Sequence, residues 1–182
     1  MKKFEVWLLG IIIVFIIAVV SIPRIFIDID GPKNIDVEIL PSGSPHFEVF
    51  LTLYETDLAL NSNIEYISID LEKVNHPNYI DSIIRLMEKF CQENNYQLLK
   101  YNHEELIEKG YITNIYFEKG ILISFEDLKL DTHPVVIRGS KWRSGLGAFG
   151  ADYTVESGMF SNPTNQWDNN WRIINTTNEW IS

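Results

Sequence analysis

The stretch SGLGAFGAD places Gly145, Gly147 and Gly150 in G-x-G-x-x-G order. At a strand-to-helix turn, that spacing lets free backbone N–H groups approach the phosphates of a dinucleotide. The flanking residues do not supply such a turn. Phe149, Ala151, Tyr153 and Val155 alternate with Gly150, Asp152, Thr154 and Glu156, which is the period of a strand. Gly158, Asn162 and Pro163 then break the chain, and only 32 residues follow Gly150. A dinucleotide site needs a helix there and a further parallel strand beyond it. The expectation is therefore no nucleotide cofactor, with the glycines permitting a bulge or bend in a twisted strand.

Other reactive residue types are scattered. Cys91 is the one cysteine, so neither an intrachain disulfide nor a cysteine-based zinc site can form. It shares a helical face with Ile84 and Met87, where a packed small hydrophobe is expected. His46, His76, His103 and His133 are far apart, and none belongs to an H-x-x-x-H pair. No G-x-S-x-G surrounds a serine, and abundant Asp and Glu single out no catalytic pair. DIDGPKNID resembles a calcium loop, but Pro32 stands at a ligand position and no Glu closes it. No catalytic, cofactor-binding or metal-ligating residue is assigned.

Arg138, Lys141 and Arg143 form a dense basic cluster beside Trp142. On a strand, Arg138 and Trp142 share one face, and Lys141 and Arg143 share the other. These four are the candidate ligand or partner surface, an anion or carbohydrate site with Trp142 as stacking platform. The plainer use of the same residues is a strand edge blunted by charge. Trp167, Trp171 and Trp180 crowd the C-terminus, where they are expected to close the core of a small sheet.

The elements that position these residues read as follows. After Lys2 and Lys3, an uncharged run of 17 residues extends from Val6 to Ile22, roughly 26 Å as a helix. Pro23 and Arg24 end it. Residues 1–23 read as a membrane anchor; a cleaved signal peptide is the competing reading, with a poor cleavage site at Val19-Val20-Ser21. The basic residues ahead of the run place the N-terminus inside and the domain outside the cytoplasm. Residues 24–45 read as a tether with one short strand, IDVEIL.

Residues 46–182 read as one α+β domain. FEVFLTLY and IEYISIDL alternate as strands, and Pro77 to about Asn94 has helical period, closed by Asn94-Asn95. Asn102 and Glu105 make a capping box for a short helix ending at Gly110. IYFEKGILISF reads as a hairpin turning at Lys119-Gly120, and PVVIRGSKW, AFGADYTVE, WRIIN and EWIS as further strands. The expected architecture is an antiparallel sheet packed on the helix at 77–94, cystatin-like in element order.

GLGAFGADYTVE, WRIIN and the terminal EWIS together resemble the tail of small uncharacterised bacterial envelope proteins. That resemblance implies a sheet-rich bacterial domain and no activity. A formal net charge of −10 disfavours nucleic acid as a partner. The leading functional expectation is a membrane-tethered extracytoplasmic binding or structural module, held in the membrane by residues 6–22, with an unknown protein or cell-envelope partner. A small envelope hydrolase using carboxylates or histidine, and an anchored immunity or inhibitor protein with an acidic surface, are the alternatives.

Overall fold

The computed structural model describes residues 43–131, 133–158 and 170–182, which belong to one compact unit, Leu40–Ser182. The expected anchor, the strand IDVEIL, the acidic loop DIDGPKNID and Trp167 lie outside the described residues. Among the described residues no helix is long and apolar enough to cross a membrane.

Helix α1 spans Pro45–Glu55 and is followed by a 3-10 turn at Leu58–Asn61. Strand β1 (Tyr66–Lys73) leads through helix α2 (Pro77–Glu93) to the short strand β2 (Gln97–Leu99). Helix α3 (His103–Glu108) precedes β3 (Gly120–Lys129), β4 (Val135–Ser144), β5 (Gly147–Ser157) and β6 (Trp171–Ile181). The six strands form one sheet in the order β2-β1-β3-β4-β5-β6.

The sheet is mixed, which corrects the antiparallel expectation. β1 runs parallel to both β2 and β3, and the remaining pairs are antiparallel. Parallel neighbours require a crossover, and the two expected helices, α2 and α3, provide it. The expected hairpin at Lys119-Gly120 is replaced by a tight turn, with the Gly120 amide donating to the Phe117 carbonyl at 3.2 Å. Asn114 and Ile115 have φ of 50° and 61°, so the segment before that turn cannot continue as a strand. The Phe117 ring fills the space beside Gly120, where a Cβ would lie 2.3 Å from it.

FEVFLTLY is also corrected, from strand to helix α1. His46, Val49, Phe50 and Leu53 recur at i, i+3, i+4 and i+7, and all four are buried. Pro45 occupies the first turn, where its missing N–H is not needed. α1 lies against β4, β5 and β6 and packs on α2. It shares one core with Ile121, Ile123 and Phe125 of β3, Ile137 of β4, Ala151, Tyr153 and Val155 of β5, and Ile83, Met87 and Phe90 of α2. Gly139 permits this approach, since a Cβ there would meet Val49 at 2.5 Å and Leu53 at 2.9 Å.

The expected helix at 77–94 stands, and Asn95 takes the left-handed position after it at φ 60°. The capping box stands in both directions: Asn102 Oδ1 accepts from the Glu105 amide, and Glu105 Oε2 accepts from the Asn102 amide, each at 2.9 Å. A second, smaller cluster of Leu99, Leu106, Ile112, Phe117 and Leu122 lies on the opposite side of the sheet. It covers the part of that side formed by β2, β1 and the start of β3, and Trp142 of β4 packs against it. Among the described residues no helix packs on the remainder, which is called the open face below.

Candidate functional site

β4 splits the basic cluster, because successive side chains point to opposite faces of a strand. Lys141 and Arg143 point toward α1 and are buried, with 0% and 6% exposure. Arg138 and Trp142 point to the open face. The four therefore do not form one surface. β4 lies between β3 and β5, so its charges do not blunt an edge.

Lys141 closes the C-terminal end of α1, a helix with no basic residue in its own last turn. Its ammonium donates to the carbonyl of Thr56, to those of Asp57 (3.1 Å) and Tyr54 (3.4 Å), and to Asn61 Oδ1 at 3.3 Å. Burial pushes its pKa down to about 8. Arg143 pins the following turn: Nη1 donates to the carbonyls of Leu60 (2.7 Å) and Ser62 (2.8 Å), and Nη2 to that of Glu118 (2.7 Å). Its guanidinium also lies 5.5 Å from the Tyr116 ring centroid. Both cations are buried and bonded chiefly to backbone oxygens.

Two rows of polar side chains cross the open face in register. In the first, Glu126 of β3 lies opposite Arg138 of β4, and Arg138 opposite Asp152 of β5. Arg138 grips Asp152 through Nε to Oδ1 at 2.7 Å and Nη2 to Oδ2 at 3.2 Å, and its Nη1 is 3.6 Å from Glu126. Lys73 reaches Glu126 at 3.8 Å. Asn178 of β6 donates to Asp152 Oδ2 at 2.7 Å. The Arg138 hydrogen bond holds the Asp152 carboxyl below its usual range, with the Asn178 bond adding to it against the opposing effect of burial.

In the second row, Asp70 of β1 lies opposite Ser124 of β3, and Ser124 opposite Ser140 of β4. Ser140 in turn lies opposite Gly150 of β5. Between the rows is a hollow of about 260 Å³ lined by Asp70, Lys73, Ser124, Glu126, Arg138 and Ser140. A second hollow of about 220 Å³ shares Asp70 and adds Glu72, Lys100, Asn102 and Glu105.

Indole rings border the second row. Trp142 stands two residues from Ser140 and meets His103 of α3 edge-on at 4.7 Å. Trp180 of β6 lies opposite Gly150 and is 43% exposed. Trp171 by contrast is part of the core, as expected of it, at 3% exposure. The placement of Trp180 on this face was not legible in the sequence, because it depends on a register shift in β6.

The other candidates are structural. His46 Nε2 and Asp127 Oδ1 are 2.7 Å apart, and the backbone N–H of Asn75 donates to Asp127 Oδ2 at 2.7 Å. The two side chains are 0% and 3% exposed, so this pair is buried. Cys91 is buried, and burial raises its thiol to about 12. Among the described residues no three His, Cys, Asp or Glu side chains are placed to hold a metal. Gly145 and Leu146 form the turn between β4 and β5, and Gly147 and Gly150 belong to β5. The glycine motif thus lies in a hairpin. It answers a need for space: a Cβ on Gly147 would meet Ser144 Oγ at 2.9 Å, and one on Gly150 would meet the Trp180 ring at 2.6 Å.

The fold and this surface define an α+β domain whose mixed sheet is packed by α1 and α2 on one side, and on the other is covered in part by α3 and carries charge-paired and hydroxyl side chains. No family model, curated protein or solved structure matches the chain.

Proposed function

We propose that the chain is a membrane-tethered binding module of the cell envelope and that the open face of its sheet is the ligand surface. The apolar run from Val6 to Ile22 supports the tether, and Lys2 and Lys3 ahead of it support an N-terminus inside and a domain outside. The observation that carries the binding reading is the open face itself. Arg138, Glu126, Asp152 and Lys73 neutralise one another, while Asp70, Ser124 and Ser140 line up beside them over a hollow. A fixed polar surface with convergent donors and acceptors suits recognition.

Carboxyl footprinting tests the reading. Asp70 and Glu126 of the full chain should be modified more slowly in intact cells than in the purified protein, whereas Glu88 and Glu93 on α2 should be modified equally. Equal modification of all four would remove the open face as a ligand surface. Protease added to cells with an opened wall should digest residues 46–182, and protection of that region in intact spheroplasts would reverse the orientation.

A further inference from the structure

Trp180 reaches the open face only because β6 carries an extra residue. Thr177 lies opposite Asp152 and Trp180 opposite Gly150, so two steps along β5 match three along β6. In an unbroken strand, residues three apart point to opposite faces. The β-bulge at Asn178, with φ 53°, brings both side chains to the same one. Asn178 is held by its bond to Asp152 Oδ2, and Asp152 is held by Arg138. Beneath the ring stands Gly150, where a Cβ would lie 2.6–2.7 Å from Cε2, Cζ2 and Nε1 of Trp180. The indole thus lies across a glycine, braced by the first polar row and next to the second.

We infer that this face takes a neutral oligosaccharide, with Trp180 as stacking platform and Ser140, Ser124 and Asp70 as its hydrogen-bonding groups. The inference rests on the open face being the ligand surface. A sugar ring has an apolar C–H face and a rim of hydroxyls. The C–H face matches an exposed indole, and the rim matches a carboxylate and two hydroxyls that each accept or donate. Charge decides against an acidic glycan: Arg138 and Lys73 are paired with Asp152 and Glu126, and Asp70 would repel it. From β1 to β6 the second row crosses four strand spacings, about 19 Å. That span exceeds one sugar ring several times over, so the ligand is a chain.

The test uses the full chain in a detergent without a sugar headgroup. The probes are hexasaccharides of N-acetylglucosamine, glucose and mannose, with polygalacturonate as the anionic comparison, all read by calorimetry. At least one neutral hexasaccharide should bind. Trp180→Ala should weaken it about tenfold or more, and Trp180→Phe should restore most of the affinity. Gly150→Ala should weaken it similarly by displacing the ring. If that variant fails to fold, Trp180→Ala carries the test. Ile107→Ala, on α3, should bind as the parent does.

Binding by none of the neutral probes, by polygalacturonate alone, or without dependence on Trp180 would overturn the inference. If the sugars fail while Asp70 and Glu126 remain protected in cells, the face has another occupant and the binding reading survives. If both fail, the binding reading falls with the inference.

Discussion

Lys141 should make the domain more stable as pH rises through 8 to 9, against the usual trend for an acidic protein. Burial lowers its folded pKa from 10.5 to about 8, which corresponds to roughly 3 kcal/mol of cost for the charged form. Between those two values the unfolded chain binds more proton than the folded one, so stability increases with pH there. Below pH 8 both states are charged and the cost is constant. Integrated from pH 8 to 9, Lys141 contributes a gain of about 1 kcal/mol. Cys91 works in the opposite sense, because its folded pKa is raised from 9.0 to about 12. Over the same interval it removes about a third of that gain. With a urea dependence of about 2 kcal/mol per molar, the unfolding midpoint of a chain starting at Leu40 should move up by a few tenths molar. In a Cys91→Ala background it should move further.

Lys141→Met should abolish the rise. Its cost at pH 7 is small by cancellation. The Tyr54 carbonyl keeps Asn61 Nδ2 and the Asp57 carbonyl keeps the Leu60 amide, so the Thr56 carbonyl bears most of the loss, with Asn61 Oδ1 giving up a longer bond. An acceptor left without its donor costs about 1–3 kcal/mol, close to the burial cost that the substitution relieves. Urea titrations followed by far-ultraviolet circular dichroism at pH 7, 8 and 9 measure both quantities. A parent protein whose stability is flat or falling from pH 8 to 9, or a Lys141→Met variant that keeps the rise, would refute the reasoning.

Further outcomes follow from single contacts. Gly139→Val should destabilise the domain by about 1–3 kcal/mol in the same titrations, since its side chain would drive into Val49 and Leu53 of α1. Asn102→Ala should cost about 1 kcal/mol by removing the reciprocal cap of α3. Cys91 should react with a thiol reagent only at the rate of global unfolding, which a stopped-flow labelling series against urea measures. NAD, FAD and ATP at millimolar concentration should leave the melting temperature unchanged, because a strand and not a helix follows Gly150.

Much of the fold was legible where one period prevailed and local chemistry agreed with it. α2 carries its apolar residues at helical spacing, with Pro77 ahead and Asn95 behind. α3 announces itself through Asn102 and Glu105. In β4 and β5, alternation assigned each side chain to its face, including the division of Arg138 and Trp142 from Lys141 and Arg143. α1 was misread because its apolar residues fit two periods at once. Phe47, Val49, Leu51 and Leu53 satisfy a period of two, and the helical set is completed by His46, a polar residue not counted as core. The parallel pairing of β1 with β3 depends on contacts far apart in sequence, which no local pattern reports. The candidate surface was half legible. Arg138 and Trp142 were marked by type and spacing, but Asp70, Ser124 and Ser140 become neighbours only through sheet order. Trp180 joins them through a bulge, which alternation cannot anticipate.

The clamp made by Lys141 also determines how the domain bears tension. The chain enters α1 at Pro45, and the far end of that helix is riveted to β4 through one ammonium group. A pull on the chain ahead of Pro45 therefore runs along α1 and into a strand with neighbours on both sides. To yield there, two ladders of hydrogen bonds must shear at once; β6, paired on one side alone, could instead be peeled bond by bond. Arg138 and Ser140 project from the opposite side of the same strand. Under the proposed function, force from the tether and resistance from a ligand on the open face would thus meet at β4, a strand paired on both sides.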